Sequence, residues 1–170
     1  MTEFFEQEEN FTCGIATLRT ILYNNYDINE NEKSLLDIVR EHNKSRDFMK
    51  NGIGVSDLAN LGKHFGLKVF SRKNGKIDDI KTLIDDNIWP IIHRPFWING
   101  DYDGHYLLTY FYNHLIYLFD PARGVGGIKA ESYEEFDNKW KFPKDSRTPE
   151  KWFMFFYRNN LKIPFKGKYL

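Results

Sequence analysis

Cysteine is the scarcest informative residue in this 170-residue chain: there is one, Cys13, and a lone thiol cannot close an intramolecular disulfide. A disulfide-stapled scaffold is excluded. The 6 Pro and 12 Gly are too few and too scattered for a collagen-like, linker-like or low-complexity chain. No apolar run approaches the roughly 20 residues a spanning helix requires, and the longest, Trp152 to Tyr157, has the length of a buried strand. Charge of one sign is not in excess either. Lys plus Arg number 24 and Asp plus Glu number 24, which leaves no long-range field to draw in nucleic acid or an anionic membrane. The start, MTEFFEQEEN, is acidic where a secretory signal would be basic and then apolar, so the chain reads as cytoplasmic unless exported by a signal-less route.

What is present is core-forming material. Hydrophobic residues make up 41% and aromatics 17%, from 15 Phe, 10 Tyr and 4 Trp, against 28% charged. With no internal repeat and no Pro/Gly/Ser linker, residues 1–170 are expected to form a single domain. Residues 139–170 are rich in Lys and Arg (139, 141, 144, 147, 151, 158, 162, 166, 168) against Asp145 and Glu150. Without an accompanying nucleic-acid motif this stretch reads as a solvated face.

Thr12 can cap a helix in which Ile15, Leu18 and Leu22 recur at helical spacing, with Cys13 in its first turn. A second helix is predicted from Asn31, with Leu35, Leu36, Val39 and His42 on one stripe, and a third from Ser56 through Leu58, Leu61 and Phe65 to Gly66. A strand at 67–70 and a helix at 77–86 follow. From Ile88 the pattern turns to strands at 88–93, 105–112 and 115–119; a Ser132/Glu135 capping box precedes Phe136 and Trp140, and 152–157 closes as a strand. Helices first and an antiparallel sheet second make an α+β domain.

Cys13 alone reads as a small buried hydrophobe. Its expected place at a helix start supplies unpaired N–H groups and the positive dipole end, conditions that bring a thiol from about 8.5 into the range of roughly 3.5–7.5. Gly14 is read as leaving room for a substrate backbone. Gln7 lies on the segment leading into the helix, where its amide and the Cys13 N–H can serve as two donors to an oxyanion. The general base must come from the five histidines. His42 and His64 suit helix C-terminal ends, His114 a turn, and His93 a strand end before Arg94 and Pro95. His105 stands apart, because Asp101 to Gly104 reads as a flexible lead-in and Gly104 clears space before an apolar strand. If an even-numbered loop around Asn113 joins 105–112 to 115–119, paired positions sum to an odd number such as 225 or 227, and Asp120 faces His105 directly or diagonally. Pro121 then ends the strand with the carboxylate at its tip.

Gln7, Cys13-Gly14, Gly104-His105-Tyr106 and Asp120-Pro121 occur in the order seen in papain-like cysteine peptidases. The chain most resembles the bacteriocin-processing peptidases, which cut leader peptides after a double glycine. Their pattern of Gln, five residues, Cys-Gly-x-Ala matches Gln7 to Ala16, and their Pro-Ile strand matches Pro90-Ile91. Thr12 stands where those enzymes usually carry Asp or Asn. The resemblance implies a papain-like fold, with an N-terminal helical part carrying the nucleophile packed on a C-terminal antiparallel sheet carrying His and Asp. It further implies Cys13 as nucleophile, His105 as base and later acid, Asp120 as orienter and Gln7 as oxyanion donor. The expected partner is a peptide or protein substrate, with no metal and no cofactor. Transglutamination, deamidation and removal of a conjugated protein use the same framework, and a catalytically silent relative would bind peptides in the same groove.

Overall fold

The strand Phe-Met-Phe-Phe-Tyr has no polar face, and the fold accounts for this by covering it on both sides. In the computed structural model, which describes residues 2–98, 101–142, 150–158, 161 and 163–170, it forms β6 (Phe153–Tyr157) at the middle of a sheet. Met154 and Phe156 point into one apolar cluster with Ile15, Leu18, Leu35 and Leu58, whereas Phe153, Phe155 and Tyr157 point into a second with Ile80, Leu83, Phe136 and Trp140. The first cluster is roofed by α1 (Cys13–Tyr26), α2 (Glu32–His42) and α4 (Val55–His64), the second by α5 (Ile77–Asp85) and α6 (Tyr133–Lys139). Helices on both faces leave no polar side for the central strands, and this explains the aromatic load.

Around β6 the sheet also contains β1 (Lys68–Arg72), β2 (Ile91–Ile98), β3 (Asp101–Tyr112), β4 (Ile116–Asp120), β5 (Gly127–Glu131) and β7 (Lys168–Tyr169). Their order is β5-β4-β3-β2-β6-β1-β7, and every pairing among the described residues is antiparallel. The expected α+β class and papain-like arrangement are therefore present.

Several local expectations are corrected. β2 does not end at His93 but runs on through Pro95 to Ile98. Only Ile91 and Ile92 pair with β6, so Pro95 sits where β2 has a strand neighbour on one side alone and its missing N–H leaves no ladder gap. Asp101 to Gly104, expected as a flexible lead-in, belongs to β3 and pairs with Pro95 to Ile98. The helix expected from Ser56 is α4, capped at Gly54 instead, where the Asp57 carboxylate accepts from the Gly54 N–H at 2.8 Å. A short α3 (Phe48–Asn51), β5 and β7 had no sequence expectation.

Within the basic C-terminal stretch, Lys139 pairs with Glu131, and Lys141 and Lys151 with Asp137. Lys144, Asp145, Arg147 and Lys162 lie outside the described residues. Among the described residues no helix is long and apolar enough to cross a membrane.

Candidate active site

Cys13 is the first residue of α1 and is half-buried, so it belongs to the turn whose backbone N–H groups have no intrahelical acceptor. α1 packs on β3, the strand that carries His105. The next strand, β4, ends in Asp120. The pairing Leu108↔Phe119 and Thr109↔Leu118 sums to 227, the expected odd value, and continuing it sets Asp120 opposite Leu107 and diagonal to His105. The route to this register differs from expectation. Tyr112 pairs with Ile116, leaving a three-residue turn, and a β-bulge between Thr109 and Phe111 restores the offset.

The result brings the side chains of Cys13, His105 and Asp120 into one neighbourhood. His105 Nε2–H donates to Asp120 Oδ1 at 2.7 Å, which leaves Nδ1 as the ring nitrogen open toward Cys13, a neighbour close enough to raise the imidazole pKa. Burial pushes the His105 pKa down, but the bond to Asp120, the neighbouring Cys13 and the charges of both outweigh it and carry the imidazole up to about 9. Burial would raise Asp120. Instead, hydrogen bonds from His105, Lys129 and the Ala122 N–H hold its carboxyl well below the usual carboxylate range. Lys129, on β5, reaches Asp120 Oδ2 at 2.6 Å, and the Ala122 N–H reaches Oδ1 at 3.0 Å.

His93 is placed elsewhere. Its ring stacks on Tyr106 with centroids 4.6 Å apart and lies near Phe142 and Trp152. Gly104 exists for this imidazole: a Cβ there would lie 2.0 Å from His93 Nε2. The space cleared by Gly104 is thus filled by His93. Gly14 likewise opens no room for a substrate, since a Cβ would come within 3.0 Å of Tyr106 Cδ2 and 3.1 Å of Leu58 Cδ1; the missing side chain lets α1 close on β3.

Gln7 is only 8% exposed and lies on a segment fastened at both ends. Phe4 packs against Tyr110 and Phe119 at 4.9 Å, and the Gln7 backbone N–H donates to the Pro121 carbonyl at 2.8 Å. The side-chain amide donates to the Glu9 carbonyl at 2.9 Å, which occupies one of its two N–H groups.

Two residues had no place in the sequence reading. Lys129 lies on a strand whose only large apolar residue is exposed, and no signal marked it. Glu32 sits at the start of α2, where acidic residues are ordinary, yet it is 2% exposed. Its carboxylate accepts from the N–H groups of Glu8 and Glu9 and from the Thr12 hydroxyl. Burial raises its pKa against the pull of those bonds. Thr12, expected to cap α1 through its side chain, spends its hydroxyl here and makes no cap bond.

Neither of two concavities, of about 540 and 410 Å³, is lined by Cys13, His105 or Asp120, so these three side chains lie apart from both. Among the described residues no group of three or more His, Cys, Asp or Glu side chains is arranged to hold a metal ion.

The model of the Peptidase C39 family matches residues 2–142. The chain belongs to that family. No curated protein matches the chain. Among solved structures, the C39 fold here is similar to that of a double glycine motif protease from an AMS/PCAT transporter, solved in complex with the leader peptide. That likeness has a TM-score of 0.62 at 18% identity and covers 92% of this chain and 91% of that one. A C39-like peptidase from Bacillus anthracis is similar with a TM-score of 0.61 at 12% identity, over 93% of this chain and 95% of the other.

Proposed function

We propose that residues 1–170 act as one cysteine peptidase domain that cleaves peptide bonds through a covalent acyl-enzyme. The observation that carries this reading is His105, hydrogen-bonded to Asp120 at 2.7 Å and lying close enough to Cys13 for the thiol to raise its pKa. In this reading Cys13 gives its proton to His105 Nδ1, and the thiolate attacks the scissile carbonyl carbon. The developing oxyanion takes hydrogen bonds from the Cys13 backbone N–H and the remaining Gln7 amide N–H. His105 then protonates the amide nitrogen as the C–N bond breaks, and the amine leaves. Water, losing a proton to His105, attacks the thioester and releases the acid. Asp120 stays ionised and holds the imidazole with Nε2–H toward itself. The substrate is a peptide or protein, a class supported by the leader peptide bound to the similar protease.

The test is intact-mass labelling by an iodoacetamide-type electrophile near neutral pH, followed by a peptide-library cleavage screen that includes double-glycine sequences. Labelling confined to Cys13, with cleavage abolished in a folded Cys13→Ala protein, is the expected result. Undiminished cleavage by Cys13→Ala would end the reading, and transfer of the acyl group to added amines without hydrolysis would replace it with a transferase.

A further inference from the structure

Glu32 poses a physical question that Cys13, His105 and Asp120 do not answer. A carboxylate that is 2% exposed has lost nearly all its water, a heavy loss for an ion unless donors replace it. No Lys, Arg or His lies within ion-pair distance of it among the described residues. If its task were only to favour the start of α2, an exposed acid would serve as well.

The donors answer instead. Oε1 accepts from the Glu8 N–H at 2.9 Å, the Glu9 N–H at 3.3 Å and the Thr12 hydroxyl at 2.5 Å, and Oε2 lies 3.1 Å from the Glu8 nitrogen. All three donors come from the short stretch between Gln7 and Cys13. Glu9, which gives its N–H to Glu32, gives its carbonyl to the Gln7 amide at 2.9 Å. One buried charge on a different helix therefore sets where the Gln7 carboxamide stands relative to the first turn of α1.

We propose that Glu32 is a positioning residue for the oxyanion side of the site, acting through Glu8, Glu9 and Thr12 on Gln7. This rests on the reading of Cys13 as nucleophile and Gln7 as oxyanion donor. A misplacement of about 1 Å in such a donor can cost on the order of 10²-fold in rate. Glu32→Gln keeps the shape and one acceptor oxygen but removes the charge that the three donors face and sets an amide N–H against the Glu8 N–H.

The experiment is a double-mutant cycle on the full chain, using a peptidyl aminomethylcoumarin built on a sequence cleaved in the library screen. Glu32→Gln should lower kcat about 10- to 10²-fold with KM and the rate of Cys13 alkylation by iodoacetamide nearly unchanged, and Gln7→Ala/Glu32→Gln should be no slower than Gln7→Ala alone. Losses that multiply in the double variant, or full activity of Glu32→Gln beside an impaired Gln7→Ala, would overturn the proposal. A Gln7→Ala protein with wild-type kcat would instead sink the underlying oxyanion assignment. Should Glu32→Gln fail to fold, Thr12→Val, which deletes one donor and keeps the volume, carries the same cycle with an expected loss of about 3- to 10-fold in kcat. Multiplicative losses there count equally against the proposal.

Discussion

The backbone N–H of Gln7 and the carbonyl of Pro121 meet at 2.8 Å, so the segment proposed to supply the oxyanion donor is hydrogen-bonded to the turn that follows Asp120. This bond uses main-chain atoms and does not depend on the Gln7 carboxamide. Gln7→Ala should consequently keep the segment in place and remove one donor alone. We expect a drop in kcat of about 10²–10³, with substrate binding, Cys13 alkylation and melting temperature nearly unchanged. Steady-state kinetics beside intact-mass labelling measure this directly, and a large rise in KM with kcat preserved would contradict it.

The two histidines on β2 and β3 should behave differently. His105 faces Cys13 and Asp120, whereas His93 stacks among aromatic rings. Below pH 7, His105→Ala should slow alkylation of Cys13 because no imidazolium remains to hold charge on sulfur, while His93→Ala should leave alkylation near wild type and lower stability. If His93→Ala proved the slower protein, the base would be misassigned.

Stability should depend on pH through the same pair. The His105 pKa rises from 6.5 in the unfolded chain to about 9 in the fold, so its stabilising contribution is complete below about 6.5 and is lost as pH climbs through about 9. Asp120 is lowered from 3.8, so its contribution is present above that value and is lost as pH falls through its lower folded value. The His105–Asp120 bond enters both shifts and is counted once, beside the separate contributions of Cys13 to His105 and of Lys129 and the Ala122 N–H to Asp120; the bond is worth on the order of a few kcal/mol. Melting curves should show the wild type losing stability between about pH 6.5 and 9, with the decline flattened in Asp120→Asn. Parallel curves for the two proteins would show that the pair contributes nothing.

Gly104→Ala tests the packing beside His105. Replacing a glycine in a strand ordinarily gains about 0.4–1 kcal/mol through the unfolded chain. Here the new Cβ would lie 2.0 Å from His93 Nε2, and that ring is pinned between Tyr106 and Phe142. Overpacking of about 1–3 kcal/mol wins, and the melting temperature should fall by several degrees. His93→Ala in the same chain should restore it by vacating the space; a stabilised Gly104→Ala single variant would refute the steric account.

Much of this was legible because one kind of signal, periodic burial, dominates it. Leu35, Leu36 and Val39 announce α2, and strand patterning set the β3–β4 pairing closely enough to bring Asp120 diagonal to His105. The agreement hides two departures, an odd turn and a bulge, that offset each other, because burial of Leu108 and Phe119 on one face fixes the register whatever the turn does. Elements without a buried stripe were illegible. β5 exposes Ile128, Lys129 and Ala130, so its pairing with β4, and with it the hold of Lys129 on Asp120, left no pattern to read. Glu32 was hidden for the opposite reason, since an acid at a helix start already has an ordinary explanation. Gly14 and Gly104 stand out in the sequence, but the space at each is occupied, by Tyr106 and Leu58 at Gly14 and by the His93 ring at Gly104.

The closure of the N-terminal segment onto the turn after β4 also bears on how the protein is made. Cys13 leaves the ribosome about ninety residues ahead of His105, an interval of roughly 5–20 s at synthesis rates of about 5–20 residues per second. Throughout that interval the thiol has neither its imidazole nor the carbonyl of Pro121 that anchors Gln7, so a nascent chain carries an unassisted cysteine. On the proposed reading, assisted reactivity waits for β3 and β4 to pair beside α1, so the labelling rate of Cys13 would report that step of folding.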